Sequence, residues 1–168
     1  VHNNIRHVLN GENILSNLWS ISLLNHDTRV DNNIYLKHLK PQCSSSQVYK
    51  GLYDGKSSGK YDSCVYVAPG AQKSDTVQKN NNILIADGAK IASNPQLEIF
   101  ADDVKCAHGS TVGQMDDKAL FYMRSRGIRE PVAKKLLLSA FVGDVVKAVK
   151  NSHIKKIVTK EIDEQFKA

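Results

Sequence analysis

Cys106 and His108 stand two residues apart within the string Phe100–Gly127, FADDVKCAHGSTVGQMDDKALFYMRSRG. On a strand, that spacing puts both side chains on one face. A thiolate beside an imidazole is half of a site for zinc, iron or an iron–sulfur cluster. The same pair could serve as nucleophile and base. The commonest arrangement of such a pair is a buried thiol next to a hydrogen-bonded histidine. The nearest acids, Asp102 and Asp103, are candidate further ligands and equally good turn residues. With two ligands from this chain, a metal needs its others from a second chain. His2, His7, His26, His38 and His153 are scattered without ligand spacing. The sequence carries no phosphate-binding loop ending in Gly-Lys-Ser/Thr, no Gly-x-Ser-x-Gly elbow and no His-Glu-x-x-His. It therefore offers no positive reason for an enzyme.

The elements that must hold this pair change character along the chain. Residues 1–113 are rich in short β-prone segments: 18–24, 33–39, 47–53, 63–68, 82–86 and 97–100. Turn signals separate them at Asp54-Gly55, Ser58-Gly59, Pro69-Gly70, Asp87-Gly88 and Asn94-Pro95. The segment YVAPGAQ at 66–72 is echoed by LIADGAK at 84–90. A period near 18–20 residues predicts one coil of a β-solenoid, with Val48, Tyr66 and Leu84 stacked on one inward row. The competing reading is an antiparallel sandwich with an accidental echo.

Residues 114–168 read as a small helical domain. A first helix spans about 116–126, with Asp116 and Asp117 at its positive end and Gly127 just past its close. A second spans 130–150, entered through Pro131, with Ala133, Leu137, Ala140/Phe141, Val145 and Ala148/Val149 as its buried face. A third begins near Ser152 and carries the stripe Ile154, Val158, Ile162 and Phe166.

A chain of 168 residues fits one domain, or one and a fraction. No apolar run approaches the roughly 20 residues of a spanning helix. The opening VHNNIRHVLNGEN is too polar for a signal peptide, and without an initiating Met it reads as the interior of a larger protein. Basic charge is concentrated late: residues 1–115 hold 11 basic and 10 acidic side chains, residues 116–168 hold 12 and 7. The late lysines alternate with acids and lack interleaved aromatics, which argues against nucleic acid and suits an acidic protein partner. Three cysteines, Cys43, Cys64 and Cys106, are too few and too far apart for a zinc ribbon and point to free thiols in a reducing compartment.

The Phe100–Ile128 string closely resembles the signature of the SufB/SufD family of iron–sulfur cluster assembly proteins, and is nearer the SufD branch. Residues 37–51 (KHLKPQCSSSQVYKG), 68–73 (APGAQK) and 94–103 (NPQLEIFADD) are similar to further family segments. The likeness covers residues 2–150, the C-terminal part of the family pattern.

The resemblance implies a right-handed parallel β-helix over 1–113, followed by a helical domain over 114–168. It implies a scaffold subunit without turnover of its own. Such a subunit pairs with SufB through the β-helices and receives the SufC ATPase on its first two helices. ATP-driven closure of SufC then rearranges the interface where a transient cluster is built. His108 matches the family histidine at the SufB interface, and Cys106 lies in the same motif. Both are thus candidate cluster or metal ligands, with no cofactor tightly bound in isolation. A homodimer through the same surface is a further expectation, in bacterial cytoplasm or plastid stroma. Two other readings stand beside this one: a SufB-like chain that itself carries the cluster, and a β-helix enzyme acting on carbohydrate or acyl substrates. Arg129, a poor N-cap, departs from the family pattern, and residues 151–168 match no family motif.

Overall fold

The computed structural model describes residues 1–165. Eight strands come first: β1 (His2–Leu9), β2 (Leu15–Leu24), β3 (Arg29–His38), β4 (Ser44–Tyr53), β5 (Ser58–Val67), β6 (Asp75–Leu84), β7 (Lys90–Ile99) and β8 (Lys105–Gln114). Three helices follow: α1 (Asp117–Ser125), α2 (Glu130–Ala148) and α3 (Ser152–Gln165). The odd strands form one parallel sheet in the order β1-β3-β5-β7 and the even strands a second, β2-β4-β6-β8. Each coil is thus one odd and one even strand, and four coils stack into a parallel β-helix.

The coil is longer than the 18-residue echo predicts. His2 lies beside Asp31, 29 residues on, and Ser58 beside Lys90, 32 residues on. The echo repeats a turn rather than a coil. Ala71 N–H donates to the Ala68 carbonyl (2.9 Å) where β5 passes to β6, and Ala89 N–H to the Ala86 carbonyl (3.1 Å) where β6 passes to β7. The row Val48–Tyr66–Leu84 does not exist: Tyr66 pairs with Lys37 and Glu98 in one sheet, Val48 with Trp19 and Lys79 in the other. Ser58-Gly59 and Asn94-Pro95 lie inside strands, not turns. Pro95 is tolerated because β7 is an edge strand, where a missing N–H breaks no ladder. The expected strands caught only the apolar second halves of the real ones, and β1 and β8 were missed for their polarity.

Corners keep their shape from coil to coil. Asn13, Gln42 and Lys73 all take positive φ, near 57–60°, at the bends entering β2, β4 and β6. Backbone N–H groups link these bends axially: Asn13 to the Pro41 carbonyl, Gln42 to Gln72 and Lys73 to Asp103. At the opposite corner His26 and Gly55 do the same. A Cβ on Gly55 would lie 2.9 Å from the His26 backbone nitrogen, so glycine is required there on both counts.

Alternation sends every second residue inward, and the interior is unusually polar. Leu9, Leu36, Val65 and Val67 form an apolar cluster at one side, with Cys43 and Ala71. Beside it His38, Gln47, Ser45, Ser63, Thr76, Gln78, Asn80 and Asn82 are all buried. The helices cover the outside of the even sheet: Leu138, Val142 and Ile162 pack on Leu52 with Ile21, Leu23 and Ile83. The buried residues of α2 are Ala133, Leu138, Val142 and Val145, so the stripe lies partly to one side of the face read from the sequence. On α3, Ile162 is buried and Ile154 half exposed; Phe166 lies outside the described residues. The three cysteines are free thiols.

Candidate functional site at the open end of the β-helix

β8 belongs to the last coil, and beyond it no described strand adds to either sheet. Cys106 and His108 both point along the interior row. Cys106 sits beside Thr76, and His108 beside Gln78. Cys106 is partly buried against the apolar cluster. Burial, aided by the nearby Asp75 carboxylate, pushes its thiol up from its ordinary range. It is thus held as a thiol, unsuited to attack as a free nucleophile. His108 is exposed on the open rung, above a floor of buried amides. No hydrogen bond joins the two side chains among the described residues, so the nucleophile–base reading has no geometric support.

Asp102 and Asp103 do not join the pair. They form the bend before β8, where the Asp103 carbonyl accepts from Lys73 N–H at 2.6 Å and its N–H donates to Gln72 Oε1 at 2.9 Å. Among the described residues no group of three or more His, Cys, Asp or Glu side chains could hold a metal ion. The pair stands without a third candidate ligand among the described residues. It is bordered by apolar side chains open to solvent: Ile99, Phe100 (packed on Tyr66, ring centroids 5.4 Å apart) and Val112. The free edges of β7 and β8 border the same end, with unpaired backbone groups that suit another chain's strands.

The helical domain starts two residues after β8. Asp116 caps α1, accepting from Lys118 and Ala119 N–H. Gly127 (φ 84°) closes it: its N–H reaches the Arg124 carbonyl and Ile128 N–H the Met123 carbonyl, a Schellman ending. α1 has no buried residue; Phe121 is 72% and Tyr122 59% exposed. Arg129 opens α2 without a side-chain cap. Glu130 compensates by pairing with Arg124 and Lys134, which ties α1 to α2.

Lys50 on β4 was not legible in the sequence. Its ammonium meets Asp144 Oδ1 at 2.7 Å, donates to the Phe141 carbonyl at 2.5 Å and lies over the Phe141 ring. This polar pin couples α2 to the β-helix within an otherwise apolar contact. A lysine at an outward strand position looks solvated until the helix that covers it is known.

A parallel β-helix that ends in an open coil and runs directly into three helices, the first of them without a buried residue, defines a narrow architectural class. Residues 1–141 match the family model for the SufBD core domain of the SUF system of FeS cluster assembly, and the chain belongs to that family. It is 36% identical to the iron-sulfur cluster assembly protein SufD of Escherichia coli, over 94% of this chain and 37% of that protein. It is 35% identical to a SufBD family protein of Synechocystis, over 67% of this chain and 24% of the relative. It is 31% identical to the chloroplastic protein ABCI7 of Arabidopsis thaliana, over 86% and 31%. The chain thus spans well under half the length of these relatives. No helix among the described residues is long and apolar enough to cross a membrane.

Proposed function

We propose that this chain is the scaffold portion of a SufD-like subunit, non-catalytic by itself, that helps to build iron–sulfur clusters. The cluster is its transient cargo. The observation that carries this reading is the open last coil. Its interior row presents Cys106 and His108 at the rung where a second β-helix would abut. In this reading a SufB chain pairs with the edges of β7 and β8 and completes the half-site, and His108 is the stronger ligand because its imidazole is open to solvent. The exposed face of α1, together with α2, receives the SufC ATPase. Lys50 carries displacement of α2 into the coils. The compartment is bacterial cytoplasm or plastid stroma, and free thiols suit either.

Co-expression with SufB and SufC tests the assembly: a stable SufB–SufC complex that forms, and builds clusters at full rate, without this chain would reject the reading. Anaerobic reconstitution with iron and sulfide tests the site. Cluster formation only in the presence of the partner is expected, and His108→Ala should lower its yield. A stoichiometric cluster on this chain alone would instead make it a SufB-like carrier.

A further inference from the structure

We propose that the interior of the β-helix is a hydration site, with ordered water held between Gln47 Nε2 and Gln78 Oε1. Gln47 and Gln78 are neighbours on one inward row, one coil apart, and both are fully buried. Ser63 from the opposite sheet occupies one end of each amide: its hydroxyl donates to Gln47 Oε1 (3.0 Å) and accepts from Gln78 Nε2. The remaining ends, a donor on Gln47 and an acceptor on Gln78, have no protein partner.

Buried amides without partners are rare in folded proteins, and where they occur a bound molecule normally satisfies them. The lining chooses its class. Leu18 flanks Gln47 and His108 flanks Gln78 in the ladder, Ser63 joins them from the opposite sheet, and no carboxylate, lysine or arginine is among them, so the two amides suit a neutral ligand. An unpartnered donor on one coil beside an unpartnered acceptor on the next calls for a ligand that both donates and accepts, and water does so with two of each. Access comes from the open rung. Asn82 Nδ2 donates to Asn80 Oδ1, Ser93 Oγ donates to the same oxygen, and Ser110 Oγ, exposed on β8, donates to Ser93. That polar run reaches from the buried interior to solvent.

High-resolution diffraction from crystals of the full chain tests this directly. Ordered density within hydrogen-bond distance of both Gln47 Nε2 and Gln78 Oε1 is expected, with loss of that density in a Gln47→Met/Gln78→Met double variant of similar side-chain volume. A dry interior in which the two amides bond each other would overturn the proposal, and so would density that persists in the double variant. In solution, water–protein cross-relaxation supplies a second measurement. Long-lived water contacts at the Gln47 side-chain amide protons are expected and should vanish in Gln78→Met; their absence from the folded wild type would overturn the proposal as well.

Discussion

His38 is buried on the inward row of β3, with Nε2 2.9 Å from Ser45 Oγ, which in turn lies 2.7 Å from Thr76 Oγ1. Burial lowers its pKa from the ordinary 6.5 to about 4, so the folded chain holds it neutral. Between those values the unfolded chain binds a proton that the folded chain does not. Stability from this group is therefore complete above pH 6.5 and is lost as pH falls toward 4. Thermal melts at pH 7 and pH 5 should show a Tm drop that shrinks in His38→Gln; an equal drop in both would remove the assignment. Lys50 behaves differently. Its side chain is 11% exposed whereas Asp144 is 58% exposed, so the ammonium bears most of the burial. Asp144→Ala leaves that charge with only the Phe141 carbonyl and ring face and should cost about 1–3 kcal/mol in denaturant unfolding. Lys50→Met, which removes the charge and keeps the packing, should cost less.

The first helix of the C-terminal domain was legible at both ends because its caps are local chemistry. Asp116→Ala should destabilise by about 1 kcal/mol, and Gly127→Ala by about 1–2 kcal/mol, since a Cβ is strained in the left-handed region. Arg129→Asp, which supplies the missing cap of α2, should stabilise by about 0.5–1 kcal/mol. All three are read from urea midpoints. The strands were harder. Their apolar halves, such as 47–53 and 63–68, announced themselves, whereas Lys105–Gln114 carries almost no β-branched alternation and is held by its register with β6. The coil length was misjudged because the Ala-Pro-Gly-Ala and Ala-Asp-Gly-Ala turns lie at opposite corners, half a coil apart. The Cys-x-His pair was visible because it is contiguous. The buried amides beneath His108 were not, because Gln78 and His108 meet only when coils stack.

At the scale of the molecule the helices stand against one side of the β-helix. The helices fold back over the outside of β2 and β4, and the last coil is left bare. If that bare end is the partner surface, Val112→Glu should abolish co-purification with SufB and leave the melting temperature within a few degrees of wild type, because Val112 is half exposed. A folded variant that still binds would move the interface elsewhere. The helical return has a further consequence, one of timing. Ile21, Leu23 and Leu52 wait for Leu138, Val142 and Ile162, which emerge from synthesis about a hundred residues later. The coils can add one upon another as they appear, each using the previous edge as a template. Docking of the helices is a long-range closure and is slow for that reason. A nascent chain therefore passes through an interval in which its coils are built and the apolar outer side of its second sheet is still wet, so the stretch before residue 138 is when this protein most needs a chaperone.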